Sequence, residues 1–383
     1  MNDESFVCKR CGNKNPKYIG YKNGEPYCRR CITFIGEVAK PFDVKAEKTP
    51  LNLHYPLSED QRRLSNKIID NYLMNIDTLV YAVCGAGKTE LSYGVIQKAL
   101  ESGKQVGFAL PRRDVVIELF WRIKDAFPSR KVVAVYGEHT FDLAGDIVIL
   151  TTHQLYRYEK YFDLLVMDEI DAFPFKNNDL LISMYQRSLK GHCVMMSATP
   201  SKEVLKEFHK KGHDIVELRT RFHKKPIPVP KFVSLPDFFQ KIYVLKKLKE
   251  YKKSKKPSFV FVSSIAKSQY LFEFLKKVQP NGNYVNSKKE DRSEVIDKFK
   301  KGKLDYLVTT SVLERGVTIK NLQVIVVGAD EERVYNSATL IQIAGRAGRK
   351  MDAPTGEVIF LANKVNKEME VARNEIIFCN TFL

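Results

Sequence analysis

The 383-residue sequence lacks long hydrophobic segments. Apolar runs such as residues 78–83, 164–167 and 324–327 are far shorter than the roughly 20 apolar residues of a membrane-spanning helix. The first seven residues are acidic and polar, and therefore unlike a secretory signal. The sequence also lacks residue-level internal repeats, and its only biased tract is a lysine cluster at 246–256. From these absences we expect a cytoplasmic protein.

Acidic residues are scarce relative to basic ones, since 45 Asp and Glu accompany 63 Lys and Arg and leave a net charge of +18. Hydrophobic residues at 44% and charged residues at 28% are ordinary globular values, which excludes a wholly disordered chain, a collagen and a coiled coil. The excess charge predicts a polyanionic partner, either nucleic acid or an anionic membrane face. A basic, well-solvated surface is the simpler interpretation.

Four of the seven cysteines form two C-x2-C pairs that are separated by sixteen residues, namely Cys8, Cys11, Cys28 and Cys31. Disulfides are rare in a reducing cytosol, so this spacing indicates a metal site. Two such pairs complete a tetrahedral, all-sulfur site that suits zinc, with an iron–sulfur cluster as the alternative. Four cysteine ligands leave no position for a catalytic water, so we expect a structural zinc ion.

The stretch between these cysteines is basic, with seven Lys and Arg against Glu25 alone, and it contains three tyrosines. Basic side chains with aromatic rings can hold phosphates and stack on bases. The tyrosines could equally form the small core of a ribbon, or the module could dock a protein. The sequence leaves these three interpretations open.

Beyond residue 56, short β-branched runs alternate with helical patterns, which predicts βαβ units and parallel sheets. Four prolines between 226 and 236 indicate a linker. We predict an α/β chain with a zinc module at 1–40, a connector at 41–56, a first domain at 57–200, a linker at 201–236 and a second domain at 237–383. Residues 201–260 carry seventeen Lys and Arg against six Asp and Glu, which could form an electrostatic funnel for a strand. We favour an amphipathic helix for 246–256, because Ile242, Leu245 and Leu248 recur at helical spacing.

A phosphate-binding loop is predicted at Ala82–Thr89, between a strand pattern and a helix pattern. Gly85, Ala86 and Gly87 would let backbone N–H groups surround the phosphates of ATP. Lys88 would reach the β- and γ-phosphates, and the Thr89 hydroxyl would bind Mg²⁺. Ala82 stands where the strict pattern has glycine.

A second site pattern is an apolar run that ends in two carboxylates, Asp168 and Glu169. Asp168 would hold Mg²⁺, directly or through water, and Glu169 would act as general base toward the attacking water. An acidic pair after a strand is weak evidence for a magnesium site on its own. The evidence is stronger here because the pair follows a phosphate loop by several strands.

These motifs resemble those of superfamily 2 helicases and translocases. Ser197-Ala-Thr199-Pro200 resembles their coupling motif III, and Gln342 to Arg349 resembles motif VI. The resemblance implies that Arg346 and Arg349 act as arginine fingers on the γ-phosphate, and that Gln342 couples ATP state to nucleic-acid grip. It also implies that Gln61 reads adenine and that Gly316 contacts ATP.

Within that superfamily, the four-cysteine module, residues 168–174 and residues 342–349 together resemble the ComFA family of competence DNA-uptake ATPases. This implies two RecA-like parallel-sheet domains in tandem after a zinc-ribbon-like module, with ATP, Mg²⁺ and Zn²⁺ as cofactors. The implied function is ATP-driven translocation on single-stranded DNA during uptake in transformation. Implied partners are ComFC and the membrane uptake channel, which would bring the protein to the inner face of the membrane.

The same resemblance places a DNA strand across both domains. The implied contact residues are Arg112, Arg113, Thr152, His153 and Gln154 in the first domain, and Ser263, Ser264, Thr309 and Thr310 in the second. Hydroxyl groups and backbone N–H groups suit phosphate oxygens and would grip a backbone without reading bases. Each of these hydroxyl residues could instead be an ordinary strand end or helix cap.

Two other functions remain open at this stage. One is a duplex-unwinding helicase in repair or replication restart, and the other is an ATP-gated DNA-binding scaffold that recruits partners through its zinc module. The motifs do not decide between DNA and RNA, and they leave direction, step size and oligomeric state undetermined.

Overall fold

A computed structural model describes residues 6–83, 85–170, 178–313 and 317–383. The chain divides into two compact units, one made of Met1–Ala82 and Gly87–Leu218, the other of Val83–Ala86 and Arg219–Leu383. Across the described ranges, no helix has both the length and the apolar composition that crossing a membrane requires.

The N-terminal module contains a short 3₁₀ helix, Pro16–Tyr18, and an antiparallel hairpin of β1 (Ile19–Lys22) and β2 (Glu25–Cys28). Asn23 and Gly24 connect the strands with φ of 51° and 81°. Two successive positive φ values match the twist of a tight hairpin, which explains the Asn-Gly pair. This turn directs β2 back to Cys28 beside the other cysteines.

The first unit is built on a parallel seven-stranded sheet in the order β5-β6-β4-β7-β8-β3-β9. Its strands are β3 (Thr78–Ala82), β4 (Val106–Leu110), β5 (Val132–Val135), β6 (Ile147–Thr151), β7 (Phe162–Asp168), β8 (Leu189–Ser197) and β9 (Asp214–Leu218). Its helices are α1 (Glu59–Leu73), α2 (Lys88–Leu91), α3 (Tyr93–Glu101), α4 (Arg113–Ala126), α5 (Asp179–Ser188) and α6 (Lys202–Lys210), with a 3₁₀ helix at Thr152–Arg157.

The second unit has a parallel six-stranded sheet in the order β10-β15-β14-β11-β13-β12. Its strands are β10 (Lys231–Ser234), β11 (Ser258–Phe261), β12 (Gly282–Val285), β13 (Tyr306–Thr309), β14 (Gln323–Val327) and β15 (Val358–Ala362). Its helices are α7 (Asp237–Lys253), α8 (Ile265–Lys276), α9 (Arg292–Lys300), α10 (Ser337–Ala344) and α11 (Lys367–Asn380), with a 3₁₀ helix at Ser311–Leu313.

The central strands form because their sequences are apolar except for a terminal Ser or Thr in β6, β11 and β13. Every residue of β4, β6, β11, β13 and β15 is buried, as expected for parallel strands that are covered on both faces. The prediction of two parallel-sheet, RecA-like domains in tandem after a cysteine module is therefore confirmed.

The structure differs from the predicted linker at 201–236. Helix α6 and strand β9 occupy its first half, and β9 pairs with β3 as the last strand of the first sheet. Strand β10 lies near its end and pairs with β15. The four prolines fall between 226 and 236, so they interrupt regular structure only in the second half of the segment.

The predicted amphipathic helix is part of α7, but its buried face differs from the expected one. Ile242 is 43% exposed, whereas Val244, Lys247 and Tyr251 are buried with Leu248. Lys247 is buried because its ammonium pairs with Glu357 at 2.8 Å while its methylene stem packs among the apolar neighbours.

Candidate nucleotide site and metal centre

The nucleotide-site motifs of the first unit converge because three adjacent parallel strands end together. In the register of these strands, Asp168 of β7 pairs with Met196 of β8, and Met196 pairs with Val80 of β3. Neighbouring strands lie about 4.8 Å apart. The phosphate-loop segment after β3, the acidic pair and Ser197 therefore share the carboxyl edge of the first sheet, by which we mean the edge where its strands end.

The phosphate loop has a backbone that requires glycine at two points. Gly85 has φ of 84° and Gly87 has φ of 80°, in the left-handed region that other residues rarely adopt. Ala86 between them is fully buried. Lys88 begins α2, and its Nζ donates to the carbonyl oxygen of Ala82 at 3.2 Å. The lysine thus lies back over the loop, where a phosphate ligand would be held.

Gln61 is positioned against this loop by the start of α1. Its N–H donates to Ser58 Oγ at 3.2 Å, and its Oε1 accepts from the N–H of Ser58 at 3.0 Å, which forms a capping box. A Cβ atom added at Gly87 would lie 2.5 Å from Gln61 Nε2. Gln61 therefore lies against Gly87 of the phosphate loop, and its adenine-reading role stays a prediction.

The acidic pair is held at a sharp turn. Glu169 has φ of 60°, and its N–H donates to Asp168 Oδ1 at 2.8 Å. Ser197, at the end of the next strand, is fully buried, and its Oγ accepts from the N–H of Thr199 at 3.0 Å. Asp171 to Pro174, the rest of the acidic motif, lie outside the described residues. A carboxylate at Asp168 and a hydroxyl at Thr89 are oxygen donors of the kind that Mg²⁺ prefers.

The motif VI residues of the second unit follow α10. Arg346 is 3% exposed, and its Nη1 donates to the carbonyl oxygen of Val317 at 2.9 Å. Arg349 donates from Nε to the carbonyl oxygen of Gly345 at 3.2 Å. Gln342 is buried within α10. Gly316, the other ATP residue expected in this unit, lies outside the described residues, and the finger role of both arginines stays a prediction.

Sequence reasoning missed Arg221, which organises the motif VI turn. Its side chain is 1% exposed, and its guanidinium donates to the carbonyl oxygens of Gly345, Ala347 and Gly348 at 2.7 to 3.2 Å. A planar guanidinium can serve several carbonyls at once, whereas a lysine cannot. Only its position in a basic, proline-rich stretch was visible in the sequence, and that signal indicated a linker.

The structure defines internal contacts for Arg113, Gln154 and His153, which are among the five DNA residues expected in the first unit. Arg113 lies over the ring of Tyr136, with Cζ 5.1 Å from the ring centroid. Gln154 is buried and accepts from Arg157 Nε at 2.6 Å. His153 is exposed on one side and stacks on Phe34 at 6.2 Å, and burial lowers the pKa of its imidazole.

The group also contains Arg112 and Thr152. Arg112 is the residue before α4, and Thr152 begins the 3₁₀ helix after β6. Thr152 is 1% exposed, and its Oγ1 has no hydrogen-bond partner among the described residues. The DNA role of all five residues stays a prediction.

In the second unit, the expected DNA residues follow β11 and β13, which are neighbours in the sheet. Ser264 caps α8 by accepting from the N–H of Lys267 at 3.1 Å, and Thr309 is buried with its hydroxyl on the carbonyl oxygen of Thr310 at 3.1 Å. Ser263 and Thr310 are partly exposed at the same edge. The cap and the buried threonine fit the structural alternative for those two residues.

The four N-terminal cysteines form a cluster that fits zinc. All their sulfur atoms lie within 4.8 Å of one another, with Cys8 Sγ 3.4 Å from Cys31 Sγ and Cys11 Sγ 3.7 Å from Cys28 Sγ. Zn–S bonds of about 2.3 Å in a tetrahedron place sulfurs about 3.8 Å apart.

The cysteine module is fixed to the first unit by two arginines that sequence analysis did not single out. Arg187, in α5, donates to the carbonyl oxygen of Lys9 at 2.8 Å, and Arg157 donates to the carbonyl oxygen of Glu37. Tyr156 adds a bond from its hydroxyl to the carbonyl oxygen of Ile35 at 2.7 Å. The module is thus a fixed part of this unit.

Family models and relatives agree with this geometry. Residues 60–208 match the DEAD/DEAH box helicase model, and residues 240–351 match the helicase conserved C-terminal domain. The competence protein ComFA of Bacillus subtilis is 32% identical over 98% of this chain and 86% of its own length. ComFA of Streptococcus pneumoniae is 34% identical over 98% of this chain and 90% of its own. The chain belongs to the ComFA family.

As a ComFA-family protein with both helicase domains, it is a superfamily 2 NTPase. Its fold is shared with solved helicases of low identity. Yeast Dbp5, solved with RNA and ADP BeF3, has a TM-score of 0.64 at 16% identity and covers 86% of this chain and 93% of that one. RecG, solved with a three-way DNA junction, has a TM-score of 0.61 at 20% identity, over 86% of this chain and 45% of that one.

Proposed function

We propose that this protein is an ATP-dependent translocase on single-stranded DNA that acts in DNA uptake during competence. The observation that carries the proposal is the shared carboxyl edge, where the phosphate loop, Asp168 and Ser197 end three adjacent strands. The segments that carry Arg112 and Thr152 end further strands of the same sheet. A motor must couple ATP hydrolysis to its hold on DNA. A nucleotide site and a DNA-binding surface on the same edge of one sheet are suited to that coupling. Membership of the ComFA family supports the biological role.

Different residues of the chain have different roles in the proposed hydrolysis of ATP. Lys88 and the loop N–H groups would bind the phosphates, and Thr89 and Asp168 would hold a magnesium ion, which would supply positive charge to neutralise the phosphates. Glu169 orients the attacking water and accepts its proton as general base. By their motif, Arg346 and Arg349 would bind the γ-phosphate, since a guanidinium is always charged and forks onto phosphate oxygens.

The zinc module has a structural role in this proposal. The ion would be held by Cys8, Cys11, Cys28 and Cys31, and it would fix the hairpin whose basic surface gathers DNA or docks a partner. ComFC and the uptake channel are the partners that we propose for it, at the inner face of the membrane. The bonds from Arg157 and Arg187 would keep this surface at a constant position on the first unit.

ATPase measurements with no nucleic acid, single-stranded DNA, duplex DNA and RNA test the proposal. We expect single-stranded DNA to give the largest stimulation, and Glu169→Gln to lower the rate by about 10²-fold or more because the general base is removed. Equal rates with and without nucleic acid would contradict a motor. Stimulation by RNA but not by single-stranded DNA would contradict the proposal that single-stranded DNA is the substrate.

Two further assays address the alternative functions. A blunt duplex should stay paired under conditions in which the ATPase is active, so efficient strand displacement would favour a helicase. Lys88→Ala should abolish DNA uptake in cells. Normal uptake by that variant would favour an ATP-gated scaffold instead.

A further inference from the structure

Three aromatic rings form a small cluster after β5, at the carboxyl edge of the first sheet. Tyr136 and His139 stack with their ring centroids 4.8 Å apart and their planes 12° apart. Phe141 meets His139 edge-on at 5.7 Å. We call Tyr136, His139 and Phe141 the aromatic platform. Nothing in the nucleotide site uses these rings.

Phe141 is 90% exposed, the highest exposure of a large hydrophobic side chain among the described residues. Leaving a phenylalanine in water forgoes the free energy that its burial would give, so such a ring is a candidate contact for a ligand. The backbone beneath the platform is fixed, because the N–H groups of Tyr136 and His139 each donate to the other residue's carbonyl oxygen, at 3.2 and 2.8 Å. The platform is therefore presented on a defined turn.

Two contacts join the platform to the segments that we assign to the DNA strand. Arg113, which follows β4, lies over the Tyr136 ring at 5.1 Å. Gln154, which follows β6, reaches the carbonyl oxygen of Gly137 at 3.5 Å. Strands β5, β6 and β4 are consecutive in the sheet. The aromatic rings therefore lie on the same edge of the sheet as the residues that are expected to contact DNA phosphates.

The charges around the platform are compatible with the binding of a polyanion such as DNA. Arg113 contributes a cation at one side of the rings. Asp142 is paired with Lys131 at 2.8 Å, so its charge is compensated. Glu138, another acidic residue of this loop, is exposed to solvent beside the turn.

We infer that the aromatic platform is a base-stacking site for single-stranded DNA, with Phe141 as the ring on which a base lies. Phosphate contacts hold a strand without regard to sequence, and stacking on an aromatic ring adds affinity that is equally tolerant of sequence, because every base has a π-face. The site would keep the unpaired bases turned toward the first unit while the backbone moves along the edge. This inference rests on the proposed function.

Binding of two fluorescent strands tests it: an oligothymidylate, and an abasic strand with the same number of phosphates. Phe141→Ala should weaken oligothymidylate binding about tenfold, in line with the loss of one stacked base. Binding of the abasic strand should not change. Phe141→Trp should retain oligothymidylate affinity, and Phe382→Ala, which removes a half-exposed phenylalanine near the chain end, should leave both strands unaffected.

The outcomes separate this inference from the proposed function. If the wild-type protein binds neither strand, the proposed function fails. If the wild type binds oligothymidylate and Phe141→Ala binds it equally well, only the stacking site is overturned, and Phe141 is then a contact for another class of molecule. An equal loss of affinity for both strands would also overturn it, because a stacking ring cannot affect a strand without bases. Circular dichroism of each variant confirms that the fold is retained.

Discussion

Gly87 illustrates how a single residue of the nucleotide site is constrained in two ways. Its φ of 80° disfavours any side chain, and a Cβ would lie 2.5 Å from Gln61 Nε2. The first constraint costs about 1–2 kcal/mol for a residue with a Cβ. The second would displace the Gln61 side chain, so the loop and its contact with Gln61 would be disturbed together.

We expect Gly87→Ala to abolish most ATPase activity and to raise the KM for ATP. Steady-state kinetics against ATP concentration measure both parameters. Gly302→Ala is the matched control, because Gly302 has φ of 70° with open space around its Cβ position. Backbone strain without a clash should leave ATPase activity near wild type, and an equal loss in both variants would contradict the role of the Gln61 contact.

Arg221 is a residue whose importance only the structure reveals. Substitution by alanine would remove the guanidinium from the carbonyl oxygens of Gly345, Ala347 and Gly348. Gly345 would keep its bond from Arg349, and Gly348 its contact with His223, so the main cost is the loss at Ala347, about 1–3 kcal/mol for an unsatisfied buried group. We expect Arg221→Ala to lower both the unfolding temperature and the ATPase rate. Arg221→Lys should recover little, because an ammonium lacks the forked geometry.

Thermal unfolding and ATPase assays measure these two effects. Arg333→Ala is the control, since Arg333 is exposed. A wild-type ATPase rate in the Arg221→Ala variant would show that the motif VI turn keeps its conformation without this anchor.

At the scale of elements, a charged cluster joins α7 to β15. Burial alone would raise the pKa of the Glu357 carboxyl, but hydrogen bonds from Lys231, Lys247 and Tyr251 hold it at about 2. Since the pKa is depressed in the folded state, the cluster stabilises the fold above pH 4.5. That stability is lost as the pH falls from there through about 2.

We expect Glu357→Gln to lower the free energy of unfolding by about 2 kcal/mol at neutral pH, because the nearly buried Lys247 would lose one of its two carboxylate partners and keep only Glu250. Urea unfolding across a pH series measures this difference, which should vanish near pH 2. Glu294→Gln removes an exposed pair with Lys298 on α9 and should change stability by less than about 0.5 kcal/mol. A pH-independent difference would contradict the assigned pKa.

The cysteine cluster predicts a second element-scale result. Cys8→Ser should lose the bound zinc, because a hydroxyl is a poor substitute for a thiolate ligand. Elemental analysis should find about one zinc per wild-type chain, and limited proteolysis should cut the N-terminal module faster in the variant. Cys379→Ser, at a buried thiol outside the cluster, should retain the metal. Full zinc content in Cys8→Ser would contradict the four-sulfur site.

Three strands of the two large sheets that sequence analysis did not predict share a physical cause. Strands β9, β10 and β12 are all edge strands of their sheets. One side of an edge strand faces solvent, so these segments tolerate residues such as Asp214, Lys231 and Asn283, and lack a continuous apolar pattern. Central strands such as β4 are buried on both faces, so their apolar runs could be recognised as strands in the sequence.

At the scale of the whole molecule, the order of the parts was predictable because each part has its own local pattern. Cysteine spacing indicates the metal module, and strand–helix alternation indicates the two parallel sheets. The contacts that fix the parts were not predictable, because Arg157, Arg187 and Arg221 donate to backbone carbonyls that carry no sequence signature. The same holds for the aromatic platform, whose rings come together only through a turn.

Directed movement on DNA is the central claim, and displacement of streptavidin from biotin-ended single-stranded DNA tests it most directly. The wild-type protein should release streptavidin faster with ATP than without it, and from one end of the strand in preference to the other. Lys88→Ala, which lacks the phosphate-binding ammonium, should release it no faster than the uncatalysed rate. ATP hydrolysis by the wild type without any acceleration of release from either end would contradict translocation.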